Sequence, residues 1–300
     1  MEDLHTSRHG RPVLRGLSFS VPAGQCLGVT GPNGSGKSTL LAAVSGWLPL
    51  DRGQVRVLGK PVRTGIVPLE VGLATQEVTL YPRLSGRENL ALFAFMYGLR
   101  GRELDARVDE MVQRFDLGRW TGRRAAGYSA GVARRLHLAI AFIHRPAVLL
   151  LDEPTQALDP AARQVLLQSV AELLGQGTAV VITSMNLADI ELLAHRVLVL
   201  VEGEQRVHED TARLVQRMGS AVVEIELAEG SEGADADLEG VDGVLSWTVG
   251  EGVLRAQVSN TARALPVILQ RLERKGLVAG RVEVRPPSLE QMLLELVPAS

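Results

Sequence analysis

The sequence has one cysteine, no long apolar run and almost no net charge, and each shortage excludes a class of protein. The single cysteine, Cys26, rules out an internal disulfide and is typical of a reducing compartment. A net charge of −2 gives no electrostatic reason to expect binding to nucleic acid or to an anionic membrane. No stretch reaches the ~18 unbroken apolar residues of a membrane-spanning helix. The N-terminal residues do not combine a basic start with an apolar run, so we do not expect a signal peptide.

A glycine-rich loop carries the strongest chemical signal in the chain. Residues 31–39 read GPNGSGKST and fit the pattern G-x-x-x-x-G-K-[ST] of a phosphate-binding loop. The glycines let backbone N–H groups approach a polyphosphate without a Cβ in the way. Lys37 supplies a charge for the terminal phosphates, and Ser38 supplies a hydroxyl for Mg²⁺. The residues predicted to bind nucleotide here are Gly31, Asn33, Gly34, Ser35, Gly36, Lys37, Ser38 and Thr39.

Two adjacent carboxylates follow a second informative stretch. Residues 147–151 read AVLLL, as in a central parallel strand, and Asp152 and Glu153 come directly after them. In a protein with a phosphate-binding loop, a carboxylate at such a strand end orders the Mg²⁺ shell, and a second one beside it can polarise the attacking water. We therefore predict Asp152 as a metal-site residue and Glu153 as a catalytic base.

The order of the segments predicts an α/β fold with a second, smaller domain. The strand patterns of the larger part are at residues 25–30, 53–59, 71–76, 147–152, 178–183 and 196–201. They alternate with helical patterns, which implies a largely parallel sheet behind a strand-rich lead-in. We expect residues 1–218 to form the nucleotide-binding domain, with a helical lobe at about 80–145. Residues 219–300 should form a small α+β domain whose last helix begins at Ser288.

The motifs together resemble the nucleotide-binding subunit of an ATP-binding cassette (ABC) transporter. They are the loop at 31–39, Gln76, LDEPT at 151–155 and ALDP at 157–160. The resemblance covers roughly residues 10–215 and implies a P-loop NTPase core of the RecA-like type with an inserted α-helical lobe. It also implies a head-to-tail dimer, in which each ATP lies between the loop of one subunit and the signature motif of the other.

The resemblance also implies roles for residues outside the loop. Gln76 would sense Mg²⁺ and the attacking water as part of the catalytic site. Ser129 and Gly131 would complete the ATP site of the partner subunit, and Asp159 would reach across the dimer. His9 aligns with an aromatic residue that stacks on adenine, and an imidazole can stack with less area than tyrosine.

Two departures from the family pattern bear on the rate of hydrolysis. The signature, L-S-G-G-Q in the family, reads YSAGV here, so Ala130 adds a Cβ and Val132 removes an amide. Met185 stands where the family has its switch histidine, and a thioether cannot donate a hydrogen bond. Losing one such donor costs on the order of 10²–10³ in rate in other enzymes. We expect ATP binding to be intact and hydrolysis to be slow, unless another donor compensates.

The leading hypothesis is the ATPase subunit of an ABC-2-type exporter, because residues 285–296 also resemble the tail of such subunits. It predicts ATP and Mg²⁺ as cofactors, a separate membrane permease and a second cassette subunit as partners, and no nucleic acid. The protein would then be cytoplasmic, on the inner face of the membrane. The alternative is the hydrolysis-impaired half of a heterodimer, acting as a binding module. A soluble cassette ATPase of DNA repair or translation would need a long coiled coil or a second cassette, and the sequence shows neither.

Overall fold

The computed structural model describes residues 1–217, 221–227, 237–250 and 252–285. The chain divides into two compact units, Met1–Thr211 and Ala212–Ser300. The helix predicted to begin at Ser288 and the tail motif at 285–296, apart from Arg285, lie outside the described residues.

The first unit contains eleven strands, and six of them form its main sheet. Its strands are β1 (Glu2–Arg8), β2 (Arg11–Leu17), β3 (Cys26–Thr30), β4 (Arg52–Gln54), β5 (Arg56–Val57), β6 (Lys60–Pro61), β7 (Val71–Ala74), β8 (Val148–Asp152), β9 (Ala179–Thr183), β10 (Arg196–Val201) and β11 (Glu204–Asp210). The order in the main sheet is β11-β10-β3-β9-β8-β7, in which the last five strands are parallel and β11 is antiparallel. A separate antiparallel sheet, β2-β1-β4, forms the predicted lead-in. The α/β fold with its antiparallel lead-in is confirmed.

Helices cover the main sheet and form the inserted lobe. They are α1 (Lys37–Val44), α2 (Gly86–Met96), α3 (Gly101–Arg114), α4 (Ala130–Phe142), α5 (Pro160–Gly175) and α6 (Leu187–Leu193). Helix α2 begins with a capping box, in which Ser85 and Glu88 satisfy each other's backbone N–H groups. Ser129 caps α4 by accepting from the backbone N–H of Val132 at 3.4 Å. The lobe therefore presents its signature residues at a capped helix start.

The prediction of one strand at residues 53–59 is wrong. The segment is divided between two sheets, because β4 pairs with β1 while β5 pairs with β6 in a two-stranded hairpin. Leu58 (φ 49°) and Gly59 (φ 78°) make the hairpin turn that ends β5. The alternation of apolar and polar residues extends over β4, β5 and the turn after β5. Gly59 is the one residue of this segment whose type indicates that turn.

The second unit is a small antiparallel sheet with one covering helix. Its elements are α7 (Thr211–Arg217), which begins at the unit boundary, β12 (Ala221–Leu227), β13 (Val244–Gly250), β14 (Val253–Val258), α8 (Thr261–Arg274) and β15 (Ala279–Arg285). The strand order is β13-β14-β12-β15. Alternate β12 residues, such as Val223 and Ile225, are fully buried with Ile268 and Leu272 of α8 in one core. This core is separate from that of the first unit.

Candidate active site

The glycine-rich loop connects the carboxyl end of β3 to the amino end of α1. Gly31 adopts φ 145°, and a Cβ there would lie 2.0 Å from the carbonyl oxygen of Leu200 on β10. Gly36 adopts φ 108° at the start of α1, and a Cβ there would lie 2.7 Å from Leu14 Cδ2. A side chain at Gly31 would collide with the backbone of β10, and at both positions the positive φ is strained for any residue with a Cβ, so the loop's path favours glycine.

A cavity of about 690 Å³ opens above this loop, which is within the usual range for small-molecule sites. The loop contributes residues 33–39 to its wall, and the ends of the neighbouring strands contribute the rest. The remaining lining residues are Arg8, Val13, Gln76, Glu153, Thr155, Gln156, Met185 and Asn186. The parallel strands β7, β8 and β9 end at this same edge of the sheet, which is why residues far apart in sequence meet here.

Lys37 lies in the loop with its ammonium bound to the loop's own backbone. Its Nζ donates to the carbonyl oxygens of Gly31 at 2.8 Å and Pro32 at 3.2 Å. Burial lowers the pKa of Lys37, while the carboxylates of Glu153 and Asp152 act in the opposite direction. These two carbonyls hold the ammonium beside the backbone N–H groups of the loop, where a polyphosphate would bind.

Asp152 is buried at the end of β8. Its Oδ1 accepts a hydrogen bond from the Thr183 hydroxyl of β9 at 2.6 Å, which fixes the carboxylate and leaves Oδ2 for another ligand. Only 4% of Asp152 is exposed. The Ser38 side chain is exposed in the adjoining wall of the cavity. A hard-oxygen set of this kind, completed by phosphate oxygens, fits Mg²⁺.

Glu153 is held in an unusual backbone conformation beside Asp152. It has φ 45°, and its backbone N–H is shared between the carbonyl (3.1 Å) and hydroxyl (3.0 Å) oxygens of Thr183. Its Oε2 accepts from the backbone N–H of Met185 at 3.1 Å, while the buried Oε1 has no protein partner. Burial raises the pKa of Glu153, opposed first by the Met185 hydrogen bond and then by Lys37. A carboxylate with a raised pKa and an unpartnered oxygen is suited to accept a proton.

Arg134 of helix α4 is a further residue of the candidate site, and the sequence motifs do not point to it. It is 2% exposed, and its guanidinium donates only to backbone carbonyls. The acceptors are Pro154 from Nε, Thr75 and Gln76 from Nη1, and Asp152 and Glu153 from Nη2, at 2.6–3.3 Å. All five N–H donors of the side chain are therefore used. Arg134 lies three residues before His137 and seven before Ala141, and both of these are buried on the same helix. This helical spacing is the sequence feature that would have placed Arg134 on the buried face.

Arg134 connects three segments of the candidate site. It joins helix α4, which begins at the signature, to the backbone of Gln76 and to the pair Asp152 and Glu153. Burial lowers the pKa of Arg134, and both carboxylates oppose that effect. The positions of Asp152 and Glu153 are thus linked to the helical lobe through the side chain of Arg134.

The other predicted site residues have different placements. Gln76 lines the cavity, and its Nε2 lies 3.5 Å from Gln156 Oε1. Ser129 and Asp159 are exposed helix caps outside the cavity wall, and Gly131 lies against the backbone of Ala157. Within this chain, the structure therefore brings together the loop and the carboxylates but not the signature.

The predicted adenine-stacking residue lies beside the cavity wall. His9 is an exposed turn residue with φ 51° between β1 and β2. Among the described residues, the lining of the cavity includes Arg8 and Val13 of that hairpin but not His9. Stacking of His9 on adenine stays a prediction, and Arg8 is an additional candidate because a guanidinium also stacks on aromatic rings.

Three side chains bear on the departures from the family pattern: Met185 and Val132, which depart from it, and His195, the nearest histidine in the sequence after Met185. Met185 occupies the cavity wall at the end of β9, as expected of the residue in the histidine position, and is 55% exposed. His195 is engaged elsewhere, because its Nδ1 accepts from the Cys26 backbone N–H at 3.1 Å at the opposite end of β3. Val132 is buried, so its side chain packs inside the lobe.

The sequence of this chain is similar to those of known ATP-binding proteins of transporters. Residues 14–156 match the family model described as ABC transporter. The chain is 37% identical over 294 residues to the daunorubicin resistance ATP-binding protein DrrA3 of Streptomyces coeruleorubidus, which covers 96% of this chain and 92% of that protein. It is 33% identical over 290 residues to the Nod factor export ATP-binding protein I of Sinorhizobium fredii (strain NBRC 101917 / NGR234), covering 95% and 81%.

Solved structures share the fold. A structure of an ATP-binding subunit of an ABC transporter matches with a TM-score of 0.67 and 25% identity, covering 73% of this chain and 92% of that one. A dimeric ATP-binding cassette in a post-hydrolysis state, bound to ADP and Pi, matches with a TM-score of 0.64 and 23% identity, covering 70% and 97%. Within the part of this chain that the structure describes, no helix is both long and apolar enough to span a membrane.

Proposed function

Because this chain belongs to the family of ABC transporter ATP-binding proteins, we propose that it is the ATP-hydrolysing subunit of an ABC-2-type exporter. The observation that carries the proposal is that Lys37 and Glu153 line one cavity, with the buried carboxylate of Asp152 next to Glu153 and close enough to Lys37 to affect its pKa. The relatives named above are a drug resistance protein and an export protein, which supports the exporter class. The transported compound would be selected by a separate permease on the inner face of the membrane, where this subunit would bind from the cytoplasm.

Each proposed role follows from the chemistry of the side chain. The loop's N–H groups and Lys37 hold the phosphates of ATP, and Ser38, Gln76 and Asp152 complete the surroundings of Mg²⁺, which would neutralise charge on the phosphates. Glu153, with Oε1 free of protein partners, accepts the proton of the attacking water. Its backbone bonds to Thr183 and Arg134 keep the carboxylate at a fixed distance from the loop.

The proposed active form is a head-to-tail dimer. Ser129 and Asp159 are exposed and lie outside the cavity of their own subunit, so both are free to reach the ATP site of a partner. We expect Glu153→Gln, which should retain ATP, to dimerise on addition of Mg·ATP. Light scattering after size exclusion, with ADP as the control nucleotide, measures the change in mass.

The dimer proposal also predicts which surface is needed. Ser129→Arg placed in the Glu153→Gln protein should abolish the ATP-dependent dimer, since it adds bulk and charge at the signature. Arg substitution of Ser246, an exposed residue of β13 in the second unit, serves as the control. Dimers that survive Ser129→Arg would contradict the head-to-tail arrangement.

Met185 is proposed to limit the rate of hydrolysis. Met185→His should raise kcat for Mg·ATP at least tenfold with little change in KM, because an imidazole can donate to the developing phosphoryl charge. Met96→His is a matched control, since Met96 is equally exposed (56%) but lies on α2 away from the cavity wall. An equal rate in Met185→His and wild type, with ATP binding intact, would show that the missing histidine is not limiting.

The second candidate function is a hydrolysis-impaired half of a heterodimer. The methionine at 185, together with Ala130 and Val132 in the signature, favours it. The retained Glu153 and Gln76 in the cavity wall favour a working ATPase instead. Rapid turnover that requires a second, different cassette subunit would identify the heterodimer.

A further inference from the structure

One wall of the cavity follows the carboxyl ends of β8 and β9. Its lining residues are Glu153, Thr155, Gln156, Met185 and Asn186. Ionised Glu153 only accepts hydrogen bonds, and the Met185 thioether cannot donate. The backbone N–H of Met185 is already bound to Glu153 Oε2 at 3.1 Å. The Thr155 hydroxyl already donates to Asp189 Oδ2 at 2.7 Å. A side-chain donor to the terminal phosphate on this wall would therefore have to be the amide of Asn186 or that of Gln156.

Asn186 is anchored so that its amide nitrogen remains available. Its Oδ1 accepts from the backbone N–H of Ala188 at 3.2 Å and caps helix α6. Since that N–H can only donate, the atom facing it must be the oxygen, which identifies the other atom as Nδ2. Within the described part of the chain, Nδ2 has no protein acceptor. A second bond, from the Asn186 backbone N–H to Ser184 Oγ at 3.0 Å, fixes the residue's position.

We propose that the Asn186 side-chain amide donates to the terminal phosphate of ATP in place of the donor that Met185 cannot supply. This inference rests on the ATPase function proposed above. A neutral amide fixed by other bonds is an effective stabiliser of negative charge that develops in a transition state. The residue directly after the histidine position would then partly replace it.

Gln156 is the other side-chain amide near this wall, and it is less suited to the role. It lies in the same cavity, but the hydrogen bond that its side chain makes, from Gln76 Nε2 to its Oε1, is long at 3.5 Å. A glutamine has one more rotatable bond than an asparagine and would lose more conformational freedom on binding phosphate. Asn186 is already fixed by the helix cap.

The test uses two substitutions that keep the cap and remove the amide. Asp and Ser cap helices about as well as Asn, so Asn186→Asp and Asn186→Ser should unfold at the wild-type temperature. We expect both to lower kcat for Mg·ATP at least tenfold, with KM changed less than about threefold. Asn260→Asp makes the same change at the cap of α8, in the second unit, and should leave turnover unchanged.

A binding measurement tests the proposal independently of turnover. Vanadate with Mg·ADP mimics the transferred phosphoryl group, and the amide should strengthen its binding relative to Mg·ADP alone. Asn186→Ser should reduce that preference about tenfold while leaving ADP affinity unchanged. The reduction should be smaller when Met185→His is also present, because the imidazole then supplies a donor.

The outcomes separate this proposal from the one on which it rests. Wild-type kcat and vanadate preference in both Asn186 variants would overturn the role of Asn186 and leave the ATPase function standing. An equal loss with and without Met185→His would also contradict it, because the two donors would not be interchangeable. Failure of the wild-type chain to bind Mg·ADP or Mg·ATP would overturn both.

Discussion

Glu153→Gln is expected to lower the rate of Mg·ATP hydrolysis on the order of 10³-fold while ATP affinity stays close to wild type. The change removes the proposed proton acceptor, and general bases typically contribute 10²–10⁴ in rate. Glutamine keeps the shape of the side chain and can still accept from the Met185 N–H. Steady-state phosphate release and equilibrium nucleotide binding, measured on the same preparation, check both parts of the prediction.

The pH profile gives the same prediction a second readout. Because burial raises the pKa of Glu153, its ionised form is lost as the pH falls through a value above the ordinary glutamate range. Wild-type turnover should therefore decline on the acid side at a higher pH than an unperturbed carboxylate would give, and residual Glu153→Gln activity should lack that decline. Glu172→Gln changes an exposed carboxylate on α5 and should retain wild-type rate and profile. Full activity in Glu153→Gln would rule Glu153 out as the base.

The raised pKa of Glu153 also affects the stability of the folded protein. A carboxyl group whose pKa is higher in the folded state than in the unfolded state favours folding when protonated, and this contribution is lost as the pH rises through the folded-state value. At neutral pH the ionised, partly buried Glu153 is therefore unfavourable for folding. Glu153→Gln should be at least as stable as wild type at pH 7, so its lost activity would not come from unfolding.

Arg134→Met is expected to lower the free energy of unfolding of the first unit by about 3–5 kcal/mol, because a buried group left without its hydrogen-bond partner costs about 1–3 kcal/mol and several carbonyls lose the same donor. Methionine has a comparable length but no donors, so five backbone carbonyls would each lose the hydrogen bond that Arg134 donates. Urea denaturation followed by circular dichroism measures the change. If the two units unfold in separate transitions, Arg134→Met should lower the urea midpoint of the transition that belongs to the first unit.

Arg135 provides the matched control for that prediction. It is the next residue on α4, and its Nη1 bonds to the carbonyl of Phe115 and to Asp116, whose side chain is largely exposed. Arg135→Met should cost about 1 kcal/mol, as for a surface ion pair. Equal destabilisation by the two substitutions would contradict the assignment of Arg134 as the link between the lobe and the catalytic segments.

Local sequence signals were enough to find the loop and the carboxylates. Residues 31–39 and the pair Asp152 and Glu153 each identify themselves within a few residues, because phosphate binding by backbone N–H groups requires glycines next to a strand and a helix. The structure brings the loop residues and Glu153 to the wall of one cavity. The capping box of Ser85 and Glu88 is encoded just as locally, by two residues three positions apart.

Contacts made by backbone atoms could not be predicted in the same way. The acceptors of Arg134 are carbonyls from segments 18 to 59 residues away, and every residue type carries a carbonyl. Strand β11, with the sequence EQRVHED, lacks apolar alternation, and it forms because it pairs with the apolar β10. The free amide of Asn186 likewise became visible only when the oxygen was seen to cap α6.

The measurement that tests the central claim most directly is equilibrium binding of Mg·ATP to the purified full chain beside Lys37→Ala. We expect saturable binding of one ATP per chain, weakened at least 100-fold by Lys37→Ala because the ammonium that pairs with the terminal phosphates is removed. Wild-type protein that does not bind Mg·ATP, or that binds it as tightly without the Lys37 ammonium, would contradict the assignment of the glycine-rich loop as a nucleotide site.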